Sequence, residues 1–113
     1  MRVLLDHNLP HSLRTSLGKL CDHEIFTASY MGWGDLRNSE LLTATEQKGF
    51  EVFVTGDQSL VHEQNLRGRR LAVIALSANN WPIIKNRVPD ILAAIDAATP
   101  GSFNMLNCGE FRR

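Results

Sequence analysis

Residues 2–18 read RVLLDHNLPHSLRTSLG, and the order of residue types in that stretch decides the fold class. Arg2 to Leu5 is a mostly apolar run that breaks off at Asp6. A run so short and so close to the terminus reads as a buried strand rather than a helix. The next residues open a helix. Pro10 suits a first helical turn, where its missing N–H leaves no bond unmade. Leu9, Leu13 and Leu17 recur every fourth residue and so share one face, and Gly18 is the expected stop after about two turns. A strand that leads directly into an amphipathic helix is the first half of a βαβ unit.

The same alternation continues along the chain. Glu24 to Thr27 is a second short strand, followed by the turn-rich loop YMGWGDLRN (30–38), with two glycines around Trp33. Asn38 or Ser39 caps a helix over ELLTATEQK (40–48), which Gly49 ends. FEVFVT (50–55) is a strand stopped by Gly56-Asp57. A loop or short helix carrying Arg67-Gly68-Arg69-Arg70 leads to LAVIAL (71–76), the clearest buried strand of all. Val88-Pro89-Asp90 begins a last helix through ILAAIDAA (91–98), and Pro100-Gly101 ends it. The tail SFNMLNCGEFRR (102–113) has no clear period, although Phe103, Leu106 and Phe111 mark it as packing against something. Strands and helices in this order imply right-handed crossovers and a mostly parallel sheet covered on both faces, an α/β fold. The expected organisation is one domain, 1–113, with a core at 1–98 and a C-terminal tail at 99–113.

Composition agrees with one globular domain: 113 residues, 43% apolar and 21% charged. Lys and Arg number 12 and so do Asp and Glu, which excludes a strongly basic nucleic-acid binder but leaves room for a basic patch. The cancellation is between halves. Up to Asp57 there are 5 basic and 8 acidic residues; beyond it, 7 and 4. Cys21 and Cys108 lie outside any CxxC and read as free thiols in a reducing compartment. An acid at position six breaks the terminal apolar run, and no stretch approaches ~18 apolar residues, so the expected location is cytoplasmic, with no membrane span. His7, His11, Cys21 and His23 lack zinc-site spacing, and GWGDL (32–36) is no phosphate-binding loop.

In open parallel sheets ligands bind beyond the carboxyl ends of the strands. Two expected strands deliver polar residues there: the first gives Asp6-His7-Asn8, the third Thr55-Gly56-Asp57. Glu40 adds an acid in the first turn of the helix before the third strand. Taken singly, each acid reads equally well as a turn residue or as a complement to a helix dipole. Taken together, three carboxylates suit Mg2+ or Mn2+, hard cations that take oxygen ligands.

MRVLLDHNLPHSL (1–13), MGWGDLRNSELLTATEQKGFEVFVTGDQSL (31–60), QNLRGRRLAVIAL (64–76) and NNW (79–81) together resemble a PIN-like domain family of small bacterial proteins. The resemblance spans the chain from the first strand to the last helix. It implies a small three-layer α/β/α PIN-like fold with a central, mostly parallel twisted sheet. It also implies an acidic cluster that binds Mg2+ or Mn2+ and hydrolyses phosphodiesters of single-stranded RNA. Many such domains are VapC-like toxins, commonly dimeric, held inactive by a cognate antitoxin protein. Position by position, Asp6 and Asp57 match the strand-end acids, and Glu40 matches the helix acid to within a residue or two.

Around that cluster, Asn8, Thr55 and Ser59 are expected to orient ligands or a bound water. Arg67, Arg69 and Arg70 are the cations suited to RNA phosphates, and Trp33 is suited to stacking on an unpaired base. The blander readings stand beside these: a cap at Asn8, a β-branched strand residue at Thr55, solvated arginines, and a Trp that closes a core edge. One departure from the family is plain, because a further Glu expected on an earlier helix has no room between the second strand and Glu40. Hence the alternative of a catalytically degenerate module that binds a protein partner or RNA. A receiver-like phosphoacceptor fits less well, since Asp6 is followed by His7 instead of a second acid and LAVIAL by Ser77 instead of Lys.

Overall fold

The computed structural model describes residues 1–20, 23–36, 38–56, 70–78 and 80–106, with only the backbone of Leu20, Asn38 and Ser39. Five strands are present: β1 (Arg2–Leu5), β2 (Glu24–Thr27), β3 (Val52–Thr55), β4 (Ala72–Leu76) and β5 (Phe103–Leu106). The helices are α1 (His11–Leu20), α2 (Asn38–Gln47), the short α3 (Trp81–Ile84) and, after a 3-10 turn at Lys85–Arg87, α4 (Val88–Ala97). The strands form one sheet in the order β2-β1-β3-β4-β5, and every neighbouring pair is parallel. This is a doubly wound order: successive strands step one way from β1 to β2 and the other way from β3 onward, so the switch point lies between β1 and β3.

Side chains alternate across the sheet, so its unbroken apolar strands feed two cores. Val3, Leu5, Val52, Val54, Ile74 and Leu76 pack with Leu13 and Leu17 of α1 and with Ile91 and Ile95 of α4. Leu4, Phe53 and Val73 point the other way and pack with Leu41 and Leu42 of α2. Helices therefore cover both faces, giving an α/β/α sandwich.

Two expectations about the chain need correction. α1 does not stop at Gly18 but runs on to Leu20. Only Gly32, Gly49 and Gly101 have positive φ among the described glycines, and a Cβ at Gly18 would meet nothing within 4 Å, so Gly18 sits as an ordinary helical residue. The cost of a mid-helix glycine, about 0.5–1 kcal/mol, is too small to end a helix whose leucine face is buried. Gly49, by contrast, does end α2. Its φ of +84° lets its N–H reach the Glu46 carbonyl (3.0 Å) and the Phe50 N–H reach that of Thr45 (3.2 Å), the paired bonds of a Schellman cap.

The second correction concerns the segment with no clear period. Phe103–Leu106 is an edge strand, registered Val73↔Phe103 through Leu76↔Leu106. Its side chains are half-buried or exposed, hence the weak sequence signal. The α3 helix and its 3-10 turn, between the last two strands, also went unforeseen. Among the described residues, no helix is long and apolar enough to cross a membrane.

Candidate active site at the carboxyl ends of β1 and β3

β1 and β3 are registered Leu5↔Val54, so the next residues along, Asp6 and Thr55, lie side by side at the switch point. The Asp6 N–H continues the ladder by donating to the Val54 carbonyl (2.8 Å). Strand alternation turns both side chains to the α2 side of the sheet, the side of Leu4 and Phe53. There the Thr55 hydroxyl donates to Asp6 Oδ2 (2.7 Å), and the His7 N–H donates to Asp6 Oδ1 (2.7 Å). The His7 ring is close as well, with Nδ1 2.8 Å from the same oxygen.

Asp6 is only 8% exposed and Thr55 is fully buried. A carboxylate withdrawn this far from water needs such donors, because an unpaired buried charge is costly. A carboxylate offers about four lone-pair sites, so these contacts leave acceptor capacity for one further donor or a cation.

Asn8 ties the two strand ends together. Its Oδ1 accepts the Gly56 N–H (3.3 Å) across the switch point, while the Leu9 N–H returns to the Asp6 carbonyl (3.1 Å). Asn8 thus braces β3 against the turn that enters α1, and the helix-cap reading gives way to this one.

Glu40 is exposed in the first turn of α2. α2 leaves the carboxyl end of the sheet after β2 and returns to the amino end before β3. Its first turn therefore lies at the same end and on the same side as Asp6. The amino ends of α1 and α2 both face this end, where their dipoles favour anions. Among the described residues, no three His, Cys, Asp or Glu side chains come close enough to share a metal ion. Asp57, the remaining acid of the expected cluster, lies outside the described residues, as do Ser59, Arg67, Arg69, Cys21 and Cys108.

No family model matches the chain, and neither does any curated protein or solved structure. The site is therefore defined by its own geometry.

That geometry separates residues the sequence reading had grouped. Arg70 precedes β4, whereas Asp6 follows β1, so in a parallel sheet they sit at opposite ends, separated by a strand length of roughly 13–17 Å. Arg70 belongs to the amino end. Its N–H donates to Glu46 Oε2 (2.9 Å), and it lines a cavity of about 390 Å³ with Phe50, Leu71 and Pro100. It does not share the Asp6 crevice. Trp33 is half-buried, and its ring meets Phe50 edge-on (6.1 Å, 74°). The structure seats it as packing for the α2-side core, in line with the blander reading.

The sequence places His7 next to Asp6 at the end of β1 without giving it a role; the structure supplies one, since its N–H and its ring both meet the Asp6 carboxylate.

Proposed function

We propose that the chain is a Mg2+- or Mn2+-dependent ribonuclease that hydrolyses phosphodiester bonds of single-stranded RNA, acting as the toxin of a toxin–antitoxin pair. The observation that carries this reading is the buried Asp6 carboxylate, held by Thr55 and His7 at the switch point of an all-parallel sheet, where α/β folds bind their ligands. Glu40 at the same end supports it.

The donor set suits a hard cation. Asp6, Asp57 and Glu40 are the carboxylates that would hold it, and when bound it would supply a more acidic water and offset charge growing on the phosphate. The chain's own residues do the rest. Thr55 and the His7 N–H hold the Asp6 carboxylate in one orientation, with little rotamer freedom left to lose. Asn8 keeps β3 aligned with the chain leaving β1, so the residues that follow both strands keep their spacing. Burial excludes water from one side of Asp6 and leaves its free lone pair as the point of contact with what enters the crevice.

The test pairs calorimetry with Mn2+ and cleavage of single-stranded RNA. The parent chain is expected to bind Mn2+ and cut RNA, and Asp6→Asn and Asp57→Asn to lose about 100-fold or more in rate. Expression of the parent should arrest growth and that of the variants should not. If the parent cuts no RNA with Mn2+, the reading fails. Binding of RNA without Mn2+ uptake would favour the alternative, a catalytically degenerate module that binds a protein partner or RNA.

A further inference from the structure

We infer that the outer edge of β5 is where a second copy of this chain pairs, antiparallel and about a two-fold axis, so that the two sheets join into one. β5 ends the sheet, with β4 on its inner side. Its bonds to β4 run through every second residue: the Ser102 carbonyl accepts the Val73 N–H (2.9 Å), and the Leu106 carbonyl accepts the Ser77 N–H (3.0 Å). Backbone groups alternate sides along a strand, so Ser102, Asn104 and Leu106 face β4, while the N–H and C=O of Phe103 and Met105 point outward. Among the described residues no further strand lies there to receive them. A row of outward groups is a template for another strand, and natural edges are blunted by charges, prolines or bulges. The two edges of this sheet differ in that respect. β2, at the opposite edge, exposes Glu24, which is paired with Arg2 (3.5 Å). Residues 102–106 carry no charge and no proline, and Met105 is 56% exposed.

The edge is complementary to itself, which is why the occupant is a second copy. With two β5 strands antiparallel and Asn104 opposite Asn104 of the second copy, Phe103 of each strand lies opposite Met105 of the other. Both members of those pairs turn their N–H and C=O outward, so the pairing closes hydrogen bonds in both directions at each of the two pairs, about four in all. The exposed Met105 side chain then lies beside the half-buried Phe103, a contact that suits a thioether and an aromatic ring. The arrangement is isologous and therefore complete at two copies. Charge points the same way. The formal net charge of the chain is +0, so two copies do not repel, while a strongly acidic or basic partner would find no counter-charge on residues 102–106.

The test is analytical ultracentrifugation of the full chain over a concentration series, with the fold followed by circular dichroism. The parent is expected to pass from monomer to dimer as its concentration rises. Met105→Pro removes an outward N–H and leaves the β4 ladder its donors, so the dimer loses one bond from each copy. Its dissociation constant is expected to rise about 5- to 150-fold. Asn104→Lys and Asn104→Glu each set like charges against one another across the axis and should each weaken dimerisation, whereas an equal mixture of the two should recover it as a heterodimer. That recovery needs two folded chains meeting at Asn104, so it decides the matter alone if Met105→Pro does not fold. A parent that stays monomeric up to about 1 mM overturns the inference. So does a Met105→Pro chain of parental fold that dimerises as the parent does, or a mixture no tighter than its components. Neither measurement involves RNA or Mn2+, so the outcome is independent of the reading of the Asp6 crevice.

Discussion

Asp6 and Thr55 are 49 positions apart and meet through one hydrogen bond of 2.7 Å. Because both are buried, that bond matters more than a surface contact would. Thr55→Val keeps the side-chain shape and removes the donor, leaving a charged oxygen short of a partner at a cost of about 1–3 kcal/mol. The urea midpoint should fall accordingly. A double-mutant cycle with Asp6→Ala should give an interaction energy above the ~0.5 kcal/mol typical of independent sites, and simple additivity would mean the bond contributes nothing. At this scale Asp6 was legible from sequence, since an acid that ends an apolar strand stands out against its neighbours. Thr55 was legible as a supporting residue at the end of the third strand, but its direct bond to Asp6 was not, because nothing local to Val52–Thr55 says which strand will lie alongside.

Individual elements follow local rules where the backbone is under constraint, and Gly18 and Gly49 make the contrast. Both were expected to end helices, and only Gly49, at φ +84°, does. The same substitution should therefore have opposite signs. Gly18→Ala places a methyl group in open space on a helix and is expected to stabilise by about 0.4–1 kcal/mol. Gly49→Ala forces a Cβ into the left-handed region and is expected to destabilise by about 1–2 kcal/mol. Two denaturant titrations against the parent decide both. The strands divide in a similar way. β1 and β2 have the bounds expected from sequence, and β3 and β4 lie within theirs; β3 and β4 are buried throughout and so carry an unbroken apolar run, whereas β2, an edge strand with Glu24 exposed, shows only the short run Ile25-Phe26. β5 lies at an edge, with Asn104 and Met105 exposed, and its sequence carries no such run.

At the scale of the whole molecule, the parallel sheet gives the protein two chemically different ends. The carboxyl end holds Asp6, Thr55, Asn8 and Glu40; the amino end holds Arg70, Glu46 and the cavity of about 390 Å³. Arg70→Ala is accordingly expected to leave RNA cleavage unchanged while Asp6→Asn abolishes it, measured on one substrate under identical salt. A loss of cleavage with Arg70→Ala would mean that the substrate reaches around to the far end. β5 closes the sheet beside β4, whose side chains are all buried. A chain truncated after Gly101 would expose the β4 edge and is expected to aggregate, seen as light scattering on refolding.

Sequence by itself determined the class of fold and the leading candidate for chemistry. Short apolar strands alternating with amphipathic helices allow little besides a parallel sheet covered on both faces, and an acid placed straight after such a strand falls at its carboxyl end. Both follow from rules that act within a few residues. The tertiary structure decided what those rules cannot reach: which strands adjoin, that β5 belongs to the sheet, that Thr55 is the partner of Asp6, and that Arg70 lies at the opposite end. Each of these depends on strand order and register, which are set by how distant apolar faces pack together.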